Sequence, residues 1–239
     1  MEPLSVLYQD DYYVAIDKPP GMLVHRTRIA DSEDFALQRL RNQIRRRVYP
    51  VHRLDRPTSG VLVFALTSEY ARALVGLFEA REIEKRYLAV VRGYADSENR
   101  IDYPLLEEPG RERQQAITDY RCLARSELLE PVGPYETARY SLLEVSPRTG
   151  RMHQIRKHMK HIFHPIVGDT THGDGRQNEL FRRCFKLQRL LLWAVEVGFD
   201  HPFTGERVRI EARPGADYER LNRTIEWEPV TRNEASIRE

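Results

Sequence analysis

The chain is poor in cysteine, has no long apolar run, and carries almost no net charge. Only two of its 239 residues are cysteine, Cys122 and Cys184, far apart and outside any CxxC pair. That excludes a disulfide-stapled scaffold and a four-cysteine zinc site, and it points to reduced thiols in a cytoplasmic protein. No apolar stretch approaches the roughly 20 residues needed to span a bilayer, so no membrane partner is expected. The opening MEPLSVLYQDD has no charged segment followed by an apolar one, so no signal peptide is expected. Nucleotide signatures are missing too: GDTTHGDG fits neither the dinucleotide nor the phosphate-loop pattern. HRLD at 52–55 lacks the glycine-rich loop and DFG that a kinase requires. His153, His158, His161 and His164 lie close together without an acid at metalloprotease spacing. They read as polar-face or partner-proximal histidines, and neither a metal nor any other cofactor is expected.

The net charge of +2 hides an uneven distribution. Arg39, Arg41, Arg45, Arg46, Arg47, Arg53 and Arg56 crowd one stretch, and Arg148, Arg151, Arg156, Lys157 and Lys160 crowd another. Either cluster alone reads as a solvated helix face. Two clusters bracketing one candidate site favour a phosphate-bearing partner, because the guanidinium fork matches phosphate oxygens.

Alternating apolar residues and turn signals predict strands over 6–8, 12–16, 60–66, 86–91, 118–123, 138–145, 190–199 and 208–210. Helical spacing predicts a helix capped by Ser32 and running to Arg46, a second capped by Thr67 or Ser68, and a third in RMHQIRKHMKHIF. Residues 105–116 read as a polar loop and the stretch from Pro214 as a loosely docked tail. Strands and helices mix without regular alternation. The expected fold is α+β, a mixed, mainly antiparallel sheet flanked by helices and loops.

Three stretches place charge or a phenol where a core should be. In VHRLDRPTSGVLVFAL, Asp55 stands between Arg53 and Arg56, beside His52, at the mouth of an apolar strand. An acid there is seldom buried without a partner. In the HQIRKH helix, at about 100° per residue, Met152, Ile155, Met159, Ile162 and Phe163 share a face into which Arg156 falls. Such an arginine either snorkels to the helix edge or needs a buried anion. Asp55 and Arg156 are thus candidate partners, as a structural pair or as a reactive carboxylate kept ionised by its cation. Tyr87 alternates with Ala89 and Val91, and is either a core residue or a ring that stacks on a base and moves a proton.

Together these stretches closely resemble the motifs of the RluA-type pseudouridine synthases. HRLDRPTSGVLVFAL is similar to the family's catalytic motif, with Asp55 in the place of its essential aspartate. DKPPGMLVH resembles the first motif, KRYLAVVRG the one carrying the active-site tyrosine, here Tyr87, and RTGRMHQIRKHMKHIFHPIVGD the one whose arginine pairs with the aspartate, here Arg156. LQRLLLWAVEVGFDHPFTGE resembles the closing motif, with Trp193 where the family usually has histidine. The resemblance implies a catalytic domain over 1–213 followed by a 214–239 tail, with no separate S4-type RNA-binding module.

The resemblance further implies isomerisation of a flipped uridine in structured RNA, with Arg53 filling the gap and Ile155 packing beside the base. His52, Arg56, Arg151 and Lys157 complete the expected RNA-facing set. HRLDRPTSG and HGDGRQN are more similar to family members acting at uridine 65 of tRNA than to those acting on ribosomal RNA, and a monomer is the family-level expectation.

Overall fold

The computed structural model describes residues 2–25, 34–107 and 110–231. These residues form two compact units, one of Met1–Lys85 with Trp193–Arg213, the other of Arg86–Leu192 with Pro214–Glu239.

In the first unit, β1 (Ser5–Gln9) and β2 (Tyr13–Lys18) make the hairpin expected from the QDD turn. Asp10 closes it: its carboxylate accepts from the backbone N–H groups of Tyr12 and Tyr13. Helix α1 (Ala36–Ile44) buries Ala36 and Leu40 and ends at Arg45, whose left-handed backbone (φ 53°) keeps Arg46 outside the helix. The expected Ser32 cap lies outside the described residues. A short β3 (Tyr49–Pro50) leads to β4 (Ser59–Ala65), all seven residues of which are buried. Helix α2 (Ser68–Ala80) follows, with the Thr67 hydroxyl accepting from the Tyr70 N–H. The closing strands β9 (Leu192–Asp200) and β10 (Arg207–Glu211) return to this unit. The strand order is β1-β2-β4-β9-β10, antiparallel except where Ser59 and Gly60 run parallel to Trp193 and Ala194. Tyr13, Val61, Val63, Leu74, Phe199 and Ile210 fill its core.

In the second unit the strands pair antiparallel but not in chain order. β5 (Glu84–Arg92) pairs with β8 (Ala138–Pro147), β8 with β7 (Ile117–Leu128), and β7 with β6 (Glu98–Asp102) and β11 (Glu228–Pro229). Helix α3 (Gln154–His161) packs on this sheet, and α4 (Gly175–Phe185) and α5 (Ala216–Thr224) complete the unit.

Three differences from the sequence reading have physical causes. The α3 helix is shorter than its apolar pattern. Met152 precedes it and Phe163 follows it with a left-handed backbone (φ 65°), so both leave the helical face and lie exposed. His158 takes their place, fully buried three residues after Ile155, rather than on a polar face. Residues 214–225 are docked rather than loose: α5 buries Leu221 completely, and Ile225 is 2 % exposed.

Gly60 marks the tightest approach, with φ of 111° and a position where a Cβ would stand 2.0 Å from the Ala194 carbonyl oxygen. Gly60→Ala is expected to lower the unfolding free energy by at least about 2 kcal/mol. Gly76→Ala, on the exposed face of α2 with nothing within 4 Å, is expected to raise it by about 0.5–1 kcal/mol. Urea titration of both variants checks the pair.

Candidate active site

Asp55 sits on a turn, with its carbonyl accepting from the Thr58 N–H at 3.0 Å. Thr58 is buried and opens onto β4, while Asp55 is half-buried and Arg53 exposed. The turn is braced from the DKPPG loop. The Gly21 N–H donates to the Arg56 carbonyl at 2.8 Å, and Arg56 Nε donates back to the Gly21 carbonyl at 3.0 Å. Gly21 has φ of 82°, open to glycine at little steric cost. Lys18, fully buried, donates from Nζ to the carbonyls of Pro19, Met22 and Arg56 at 3.0, 2.8 and 3.2 Å. A buried ammonium needs such acceptors, and here they join the two loops.

His52 turns inward. Its Nε2 accepts from the Val63 N–H at 3.0 Å, and its ring stacks on Phe78 at 5.0 Å. Burial, with the nearby Lys85 charge, pushes its pKa down to about 3, so the ring is neutral at pH 7. The sequence put His52 among the RNA-facing residues; the structure gives its ring to the backbone of β4 and leaves it no charge to offer a phosphate. Burial also pushes the Lys85 pKa down to about 8.

In the second unit, Tyr87 is half-buried against the core of Ala89, Val91, Val145 and Ile155, opposite Val145 in the β5–β8 register. Ile155 belongs to that core at 7 % exposure. Arg156 is 3 % exposed, which rules out snorkelling. Its Nε and Nη2 donate to the two carboxylate oxygens of Asp169 at 2.7 and 2.9 Å. Asp169 also accepts from the backbone N–H groups of Thr171 and His172. Burial works to raise its pKa, but the Arg156 hydrogen bond and those two N–H groups outweigh it and hold the carboxyl below the usual range. The loop is fixed by Asn178 of α4, which donates to the Asp169 carbonyl and accepts from the Gly168 N–H.

The start of α3 is held as firmly. Gln154 donates to the Ile117 carbonyl and Thr118 hydroxyl and accepts from Thr149 and the Arg151 N–H. His158 Nε2 faces the Tyr103 carbonyl at 3.0 Å and Nδ1 the Thr118 hydroxyl at 2.9 Å, which sets the proton on Nε2. Arg151 Nε and Lys157 Nζ donate to the carbonyls of Gln115 and Leu106, tying both positions to the α3 segment.

The structure therefore groups His52, Arg53, Asp55 and Arg56 on one braced turn of the first unit, and Tyr87, Arg151, Ile155, Arg156 and Lys157 around α3 and β5 of the second. Sequence reading missed Lys18, Gln154 and Asp169. A lone acid closing the apolar run PIVGD was the available sign of Asp169. Among the described residues, no group of three or more His, Cys, Asp or Glu is placed to hold a metal.

The sequence matches the family model of RNA pseudouridylate synthase over residues 12–161. A Vibrio cholerae protein named tRNA pseudouridine synthase C is 51 % identical over 220 residues, 87 % of this chain and 90 % of that one. A Haemophilus influenzae protein of the same name is 47 % identical over 238 residues, 95 % of this chain and all of that one. Two solved human structures, RNA pseudouridylate synthase domain containing 1 and 4, superpose with TM-scores of 0.74 and 0.72 at 23 % identity. They cover 98 % and 95 % of this chain and 94 % and 95 % of their own, and they bear out the expected α+β fold.

Two predictions follow from the buried charges. Asp169→Asn keeps the shape and removes the carboxylate from Arg156, and is expected to cost about 3–5 kcal/mol in urea unfolding. His52 has a native pKa near 3 against an ordinary 6.5. Between these values the unfolded chain binds more protons, so stability is complete above pH 6.5 and falls as pH drops toward 3. His52→Gln should flatten that acid limb by up to about one proton per molecule, read from unfolding midpoints against pH.

Proposed function

The chain belongs to the RNA pseudouridylate synthase family, and on that premise we propose that it converts uridine 65 of tRNA to pseudouridine. The observation that carries the tRNA reading is the name shared by relatives 47–51 % identical over 87–95 % of this chain. Position 65 rests on the likeness of HRLDRPTSG and HGDGRQN to members acting there. A cytoplasmic location is in keeping with its two free thiols, and a monomer is the family-level expectation.

In this reading the target uridine is extruded from the folded RNA at a cost of a few kcal/mol. Arg53, exposed on the Asp55 turn, fills the gap with a long, flat cation able to stack. Tyr87 stacks on the uracil and Ile155 packs beside it. Asp55 is the nucleophile, attacking ribose C1′ or the base, and Arg156 is the arginine that the family resemblance assigns to it. The planar fork of Arg156 already holds one carboxylate, that of Asp169, through Nε and Nη2. Arg151 and Lys157 hold RNA phosphates at the rim of α3, and Arg56 fixes the turn that aims Asp55. The C1′–N1 bond breaks, the uracil turns, and a C1′–C5 bond forms as the bond between substrate and Asp55 breaks and the carboxylate is regenerated. C5 gives up its proton and N1 carries one in the product. Substrate and product have the same composition, so the chemistry draws on no redox partner or nucleotide.

Asp55→Asn is expected to cut uridine conversion at least about 10³-fold while tRNA binding persists. Conversion at the wild-type rate would remove Asp55 from the reaction. Pseudouridine mapping of total RNA from a deletion strain should show loss at tRNA position 65, and loss at ribosomal sites alone would overturn the tRNA reading.

A further inference from the structure

We propose that the carboxyl end of α1 carries a second phosphate-binding surface for the RNA substrate, made by Arg41, Arg45, Arg46 and Arg47. The proposal rests on the RNA-modifying reading above and adds where, beyond the reacting nucleotide, the RNA is held.

Clustering without carboxylate partners sets these four apart. Many arginines elsewhere stand against carboxylates: Arg92 on Asp174, Arg100 and Arg148 on Asp119, Arg121 on Glu144, Arg139 on Glu127, Arg209 on Glu196. Even Arg39, on α1 itself, is paired with Asp34. Arg41, Arg45, Arg46 and Arg47 are all exposed, and among the described residues none of them is in an ion pair. With Asn42 they line an open hollow of about 530 Å³.

One cation near a helix carboxyl end is favourable, since it offsets the partial negative charge there. Four within seven residues exceed that need, and Arg41 and Arg45, four apart, repel as a like-charge pair. The fold also presents them. Arg45 takes a left-handed backbone that ends the helix and turns Arg46 and Arg47 away from it, and the Arg47 guanidinium lies over the Tyr49 ring at 5.5 Å. Self-repulsion kept in place, with flat forks directed at solvent, is the arrangement a polyanion relieves.

The topology gives the surface its reach. Tyr49, two residues after Arg47, pairs with Ala65 at the carboxyl end of β4, whereas the Asp55 turn feeds the amino end at Ser59. Six residue steps along a strand span about 20 Å. The arginines therefore meet backbone phosphates about 20 Å from the uridine at Asp55, on a part of the RNA that undergoes no reaction.

The test compares wild type with Arg41→Gln/Arg46→Gln and Arg41→Lys/Arg46→Lys, using unmodified tRNA and a short stem-loop carrying only the target arm. The glutamine pair should bind tRNA about tenfold more weakly at 0.1 M salt and lower the log–log salt slope by about 2. The lysine pair should stay near wild type, and the stem-loop, too short to reach the surface, should bind all three proteins alike. An unchanged tRNA slope in a glutamine pair with wild-type circular dichroism overturns the proposal, as does an equal loss on the stem-loop. Wild-type binding of tRNA without uridine conversion would sink the reaction assigned above and leave the slope comparison intact.

Discussion

A guanidinium and a carboxylate, 3 % and 2 % exposed, can share an apolar interior only while each satisfies the other. In the second unit Arg156 and Asp169 do so through two parallel hydrogen bonds, and much of the surrounding structure exists to keep them aligned. Asp169 needs the N–H groups of Thr171 and His172. Those are presented by a loop tied down by Asn178, and Asn178 is positioned because Asp174 caps α4 through the N–H groups of Arg176 and Gln177. On the other side Arg156 is fixed by α3, whose first turn is bound to β7 through Gln154 and whose middle is bound to it through His158. The Met, Ile and aromatic residues fill space, but the buried ions decide register. A pair of this kind contributes little net stability, and its worth lies in the single arrangement it permits.

The first unit solves the same problem with different chemistry. Lys18 is as buried as Arg156, and three backbone carbonyls from two loops converge on its ammonium. A lysine suits that job because its three donors diverge from a point, whereas the planar arginine fork suits a carboxylate. In both units a buried cation fixes a loop that the proposed reaction uses: the Asp55 turn in one, the α3 segment in the other. Preorganisation of this sort lets a half-buried carboxylate stay in place without a rigid strand or helix beneath it.

How much of this was legible follows from which signals are local. The hairpin at Asp10, the buried β4 and the Thr67 cap were readable because turn chemistry, a continuous apolar run and cap chemistry each act over a few residues. The α3 face was readable in outline, and it failed at its ends. Periodicity does not tell where a helix stops, and Met152 and Phe163 lie beyond the stop. His158 was misread by composition, since its spacing of three from Ile155 and four from Ile162 already put it on the inner face. Asp169, thirteen residues from Arg156, could not be found from pattern alone. The need of a buried arginine for an anion was visible, but which acid meets it depends on how the PIVGD loop folds back. Asp55 and Tyr87 stood out because charge and a phenol opened apolar strands, and the family resemblance then supplied roles that spacing left open.

Charge itself shows where composition misleads. A net charge of +2 suggests indifference to nucleic acid, yet the sum says nothing about where the acids go. Here they go to the arginines of β7, β8 and their surroundings, where Asp119, Glu127 and Glu144 each meet basic partners. That local neutralisation leaves the α1 end bare. A chain that pairs many of its arginines on one sheet, and leaves four together where they repel, has a charge surplus concentrated at one place. For a protein whose family acts on RNA, the unpaired set is the part of the charge distribution that carries information about the substrate, and the paired set belongs to the fold.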